Sequence, residues 1–185
     1  MKKTIFTLLT ILLVVGYFMY NKEPSIDIEK SIKSGSYVLY INIPESDGEK
    51  VTFSQTGKFN DKKFTNAGFG IVNSNTKGSV VALIDEIEQL GIRQFLLPFF
   101  VNYGGSGTFL YLGLFSIEKN RVEHLNSMFI GDRVKLLNIS AIDNIKVLLE
   151  YNGYKKGRAM STIPDEHRTL NLLVKDKRII KETLN

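Results

Sequence analysis

The sequence predicts an α+β fold that is mainly β: an antiparallel meander sheet with one packed helix at about residues 79–90, preceded by an N-terminal transmembrane helix. Three observations lead there. Apolar residues alternate with a period of two in several short runs, and Gly, Asn and Asp clusters separate those runs. An uncharged segment, Thr4 to Tyr20, follows directly on Met1-Lys2-Lys3.

That segment, TIFTLLTILLVVGYFMY, is at the short end of what crosses a bilayer as a helix, and Asn21-Lys22-Glu23-Pro24 ends it. Tyr17 and Tyr20 belong at the far interface, where an apolar ring with a polar tip is favoured. Lys2, Lys3 and the terminal amine on one side, against Lys22 close by on the other, orient the N-terminus to the cytoplasm. The other reading is a cleaved secretion signal with Val14-Val15-Gly16 as a poor cleavage pattern. The missing Ala and the apolar residues beyond Gly16 favour an uncleaved anchor. The expected location is the cell membrane, single-pass with the domain outside, or secreted if the signal is cleaved. The organisation that follows is an anchor or uncleaved signal over 1–21, a tether or short helix over 22–35, and one extracytoplasmic β-rich domain over 36–185.

Within the tether, Ser25 is a candidate helix cap, Asp27 and Glu29 sit near the start, and Gly35 is a stop signal. Tyr37, Leu39, Ile41 and Ile43 then alternate with Val38, Tyr40 and Asn42 as a strand, and Pro44-Glu45-Ser46-Asp47-Gly48 supplies turn chemistry before Val51 and Phe53 return. Residues 57–78 read as a glycine-rich hairpin region. The helix expected next would be capped by Ser79. Val80, Leu83, Ile84, Ile87 and Leu90 form its stripe, Asp85, Glu86 and Glu88 lie opposite, and Gly91 is the stop.

From Ile92 to Asn102 the odd positions Phe95, Leu97, Phe99 and Val101 share a face, and Pro98 implies an edge, bulge or kink. After Gly104-Gly105-Ser106-Gly107, residues 108–117 (TFLYLGLFSI) are apolar on both faces, as suits a central strand covered on each side. Arg121–Ile130, Arg133–Ile142, Ile145–Tyr151, His167–Val174 and Arg178–Lys181 continue the scheme. Residues 152–166 form the longest candidate loop, where function is readily placed on a rigid scaffold.

Composition excludes more chemistry than it names. Of 185 residues, 43% are hydrophobic, 23% charged and 11% aromatic, which is a globular composition. Cysteine is absent, so disulfides, thiolate metal sites, a cysteine nucleophile and a lipid-accepting N-terminal cysteine are all excluded. The net charge of +5 falls to +3 once Lys2 and Lys3 are set apart, and it forms no basic stripe, so no nucleic-acid partner is expected.

The glycines at 104–107 lack the Lys-Ser/Thr and following helix of a phosphate loop, and Thr108 stands where a nucleophile elbow needs Gly. Gly104, Gly105, Ser106 and Gly107 therefore read as a structural hairpin turn. The two histidines, His124 and His167, read as sheet-surface residues rather than as a base or ligand. No H-x-x-x-H pair or calcium-loop pattern occurs, so no metal, no cofactor and no catalytic residue is expected. The candidate binding residues are Asp132, Arg133, Arg158 and His167, with Arg121, Lys155 and Lys156 as further cations toward an anionic surface polymer.

The run Asn102-Tyr103-Gly104-Gly105-Ser106-Gly107-Thr108-Phe109, then Phe129-Ile130-Gly131-Asp132-Arg133-Val134 and Arg158-Ala159-Met160, resembles bacterial envelope proteins of unknown function, which are often lipoproteins. The likeness covers about residues 90–182. It implies an exported β-rich domain and carries over no catalytic residues. The chain departs from the pattern in lacking the lipid-accepting cysteine and in having Ile84 to Gly91 where an acidic loop is usual. The expected function is a non-catalytic binding or interaction module in the envelope, with the membrane and an unknown envelope protein or polymer as partners. The alternatives are a cell-wall or lipid hydrolase with an atypical site at 152–168, and an inhibitor of a lytic hydrolase acting through a protruding loop.

Overall fold

A computed structural model describes residues 27–44, 50–52, 68–71, 78–119, 121–159 and 162–182. The Thr4–Tyr20 segment, Ser25, Phe53 and most of the 57–78 region lie outside the described residues. Among the described residues, no helix is long and apolar enough to cross a membrane.

Three layers are stacked. The middle layer is an antiparallel sheet built from β3 (Gly68–Ile71), β4 (Ser79–Ala82), β6 (Gln94–Asn102), β7 (Phe109–Glu118) and β8 (Arg121–Asp132) in that spatial order, with β5 (Glu88–Leu90) also paired to β6. A second sheet is a four-stranded antiparallel meander of β9 (Lys135–Ala141), β10 (Lys146–Gly153), β11 (Glu166–Lys175) and β12 (Arg178–Lys181). The third layer is a short helix, α1 (Ile28–Lys33), with the hairpin of β1 (Tyr40–Asn42) and β2 (Lys50–Thr52).

β7 explains the stacking. Its odd positions Tyr111, Phe115 and Ile117 pack with Ile28, Ile32, Leu39, Ile41 and Val51 of the third layer. Its even positions Leu110, Leu112 and Leu114 pack with Val147, Leu149, Leu172 and Ile179 of the meander. A strand covered on both sides has no reason to alternate polar with apolar residues, and TFLYLGLFSI does not. Each fully buried Leu or Phe along it contributes about 1.5–3 kcal/mol of burial.

The helix expected at 79–90 is not formed. Ser79–Ala82 is β4, Ile84–Glu86 is a single 3-10 turn, and Glu88–Leu90 is β5. The stripe Val80, Leu83, Ile84, Ile87, Leu90 fits a helical period, but Val80 and Ala82 also alternate, and both are fully buried. β6 decides the matter by offering its edge to β4 at Phe99–Asn102 and to β5 at Gln94–Leu96. Asp85 pairs with Lys33 of α1, and Glu88 Oε1 accepts a hydrogen bond from the Ala141 amide at 2.7 Å, so neither acid faces only water. Pro98 falls in the gap between β4 and β5. Its carbonyl accepts the Leu83 amide at 2.9 Å, and because a residue's N–H and C=O point to the same side of an antiparallel strand, the missing N–H costs no ladder bond.

The packed helix is instead α1, capped by Asp27, whose Oδ1 accepts the Lys30 amide at 2.9 Å, and followed by Gly35 at φ +76°. The single meander sheet expected from the sequence is corrected to these three sheets. The chain changes sheet at Arg133, whose φ of +52° makes the corner between β8 and β9.

Candidate functional site

Strand direction collects the candidate binding residues at one end of the molecule. β6 ends and β7 begins there, joined by Gly104–Gly107. Asn102 ties that turn: its Nδ2 donates to the carbonyls of Gly105 and Gly107 at 3.1 and 2.8 Å, and its Oδ1 accepts the Gly104 amide at 2.7 Å. Gly104 has φ +86°, and a Cβ on Gly107 would lie 2.6 Å from the Phe109 ring. Gly104 is required by backbone shape, and Gly107 makes room for the Phe109 ring.

Asp132, at the end of β8, accepts the Thr108 amide at 3.1 Å through Oδ1 and a hydrogen bond from Arg133 Nη2 at 2.9 Å through Oδ2. The Arg133 amide in turn donates to the Thr108 carbonyl at 2.7 Å. The bond to Asp132 raises the Arg133 pKa, with Tyr154 adding to it. Tyr154, just past β10, brings the second sheet into the site: its carbonyl accepts from Arg168 Nη2 at 2.7 Å. The Arg168 guanidinium crosses the face of Gly153, 3.1 Å from where a Cβ would stand, and is paired with Glu166. Arg158 pairs with Asp165 at 2.8 Å within the long loop, and His167 Nε2 lies 3.3 Å from Glu150 Oε1. Asp132 and Arg133 are thus joined to the 104–107 turn, and Arg158 and His167 belong to the neighbouring β10–β11 end, each with its own acid.

Sequence reading missed Arg168, Glu150 and Tyr154, and weighed Glu166 only as an acid that could join a histidine and a serine in a triad. Their signal lies in the β10–β11 register, which sets Gly153 opposite Glu166 and Tyr151 opposite Arg168 and is not visible along the chain.

A second feature lies at the opposite end. An open cleft of about 1200 Å³ runs between the β1–β2 hairpin and the start of β8, lined by Tyr40, Asn42, Lys50, Lys119, Arg121 and His124 among others. His124 is half-buried, not a plain surface residue. A bulge at Leu125 sets His124 opposite Phe115, and the two rings stack at 4.5 Å. Burial lowers its pKa to about 4, with the hydrogen bond to Asn126 pulling the other way. Nε2 lies 2.8 Å from Ser127 Oγ, a serine–histidine contact that invites a nucleophile–base reading. The geometry argues against it. Nδ1 accepts the Asn42 amide at 2.9 Å, so Nε2 carries the proton, donates to the Asn126 carbonyl at 3.0 Å and has no lone pair for Ser127. Among the described residues, no three His, Asp or Glu side chains form a metal-holding group.

Comparison of the chain with protein-family models, with curated proteins and with solved structures finds no match in any of the three.

Proposed function

We propose that this chain is a membrane-anchored, extracytoplasmic β-rich domain that acts as a non-catalytic binding module in the cell envelope. Its binding surface is the end that carries Asp132, Arg133, Arg158, His167 and Arg168. One observation carries the reading: each of these arginines is held by an acid, Arg133 by Asp132, Arg158 by Asp165 and Arg168 by Glu166, and His167 Nε2 lies against Glu150. Side chains fixed in this way present an ordered pattern of donors and acceptors on rigid strands, which suits recognition of a polar polymer or protein surface. The same pairing occupies the acids that a hydrolase would need as a base. The envelope setting rests on Thr4–Tyr20 and the charge placement around it.

The test uses the full chain in its own membranes with a photo-cross-linker at Lys155, beside the ion pairs. Cross-linking to one envelope component is expected, and it should fall with Arg158→Glu and with Arg168→Glu. Turnover of a peptidoglycan, ester or phosphate substrate by the wild-type chain, abolished by His167→Ala, would overturn the reading.

A further inference from the structure

The opposite end of the molecule carries a different surface. Four connections meet there: 91–93 between β5 and β6, the one at Lys119 between β7 and β8, 142–145 between β9 and β10, and 176–177 between β11 and β12. Three contacts bring them together. The Ile117 amide donates to the Arg93 carbonyl at 2.8 Å, the Val174 amide donates to the Ile145 carbonyl at 2.7 Å, and a Cβ on Gly91 would lie 3.7 Å from Asn144 Oδ1.

The turns expose large apolar side chains where turn chemistry favours polar ones. Ile92 is 46% exposed, Ile142 64% and Ile145 53%. Around them the charge is one-sided. Arg93, Lys119, Arg121, Lys146, Lys177 and Arg178 are exposed at these turns, against Glu118, Asp143 and Asp176. The Asp143 carboxylate is turned back onto the chain, where Oδ1 accepts the amides of Ile145 and Lys146, both at 2.8 Å.

Exposed isoleucines on turn tips ringed by cations match an anionic bilayer. The apolar tips enter the headgroup and acyl boundary, and the cations remain among lipid phosphates. We propose that this end of the two packed sheets docks on a bilayer rich in anionic phospholipid, inserting Ile92, Ile142 and Ile145. The occupant is lipid and not a second protein, because exposed cations accompany the apolar tips at these turns. Docking by this end would leave the ion-paired end facing away from the membrane. The proposal stands whether or not Thr4–Tyr20 is an anchor.

The chain has no cysteine, so Asn144→Cys places a single fluorophore beside the three isoleucines, and Ile163→Cys places one in the β10–β11 loop at the other end. Each full-length variant is mixed with vesicles of phosphatidylcholine alone, or of phosphatidylcholine with about a third phosphatidylglycerol, both carrying a tail-attached quencher. Strong quenching of the 144 label in anionic vesicles and little at 163 is expected. Lys146→Glu with Lys177→Glu should weaken docking by roughly tenfold or more, and Ile142→Asp with Ile145→Asp should abolish the quenching. Equal quenching at both sites, or quenching at 144 that is indifferent to lipid charge, would overturn the proposal. Flotation with neutral vesicles separately reports the Thr4–Tyr20 anchor. A chain that floats with an unquenched 144 label refutes the docking alone, whereas one that floats only with anionic vesicles, label quenched, refutes the anchor alone. A chain that floats with neither refutes both.

Discussion

The backbone amide of Asn42 donates to Nδ1 of His124 at 2.9 Å, tying the third layer of the fold to the bulged edge of β8. The imidazole is stacked on Phe115 at 4.5 Å and meets Phe99 edge-on at 6.0 Å. A proton on Nδ1 would set two N–H groups against each other. Burial holds the pKa at about 4, against 6.5 for the free side chain. Between those values the unfolded chain binds a proton that the folded chain refuses, so stability rises with pH. This contribution is complete above about pH 6.5 and is lost as the pH falls toward 4, at a cost of about 3 kcal/mol. Urea unfolding at pH 7 and pH 4.5 measures it. His124→Phe should be less stable at pH 7, because the Asn42 amide loses its acceptor, and should show a flatter dependence between the two pH values. Equal slopes for the two proteins would contradict this account.

Gly113 sits in the middle of β7, where a side chain would be expected to help. A Cβ there would lie 2.6 Å from the Phe115 ring and 3.0 Å from the Phe99 ring. The two rings close over the glycine from its own strand and from β6, so the missing side chain is filled by aromatic packing. Gly113→Ala is therefore expected to destabilise by about 1–3 kcal/mol through overpacking, despite the better strand entropy of alanine. Denaturant midpoints compare the two. An alanine variant as stable as the wild type would show that the rings move aside freely.

How far the sequence revealed this arrangement depends on whether a residue's role is set by its neighbours in the chain. β7 was readable because burial on both faces leaves an unbroken apolar run, and the odd-position face of β6 was readable from its period of two. Residues 79–90 were not, since Val80, Leu83, Ile84, Ile87 and Leu90 satisfy a helical stripe while β6 supplies the hydrogen bonds that make strands of Ser79–Ala82 and Glu88–Leu90. The bulge at Leu125 likewise has no local mark, and without it the burial of His124 cannot be foreseen. At the ion-paired end, Asp132, Arg133, Arg158 and His167 stood out by lying at turns. Arg168 did not, because its placement over Gly153 follows from the register of two strands.

Ser116 is the one buried polar residue among the described core positions, 6% exposed, and its Oγ has no hydrogen-bond partner among the described residues. It lies opposite Gln94 on β6 and Glu123 on β8. A hydroxyl removed from water without a partner costs free energy, so Ser116→Ala should raise stability by about 1 kcal/mol with the fold unchanged. Thermal unfolding reads this as a higher midpoint. A lower midpoint would mean that the hydroxyl finds a partner in solution.

Arg158 separates a binding role from a structural one. It pairs with Asp165 at 2.8 Å, but both side chains are close to half exposed, at 48% and 44%. An ion pair that remains hydrated gains little, because water screens the attraction and ordering two side chains costs entropy. Arg158→Ala is therefore expected to change unfolding free energy by less than about 1 kcal/mol. The same variant should lose most of the cross-linking at Lys155 if this end recognises an envelope partner. A large stability loss would recast the pair as part of the scaffold, and an unchanged cross-linking yield would remove Arg158 from the binding surface.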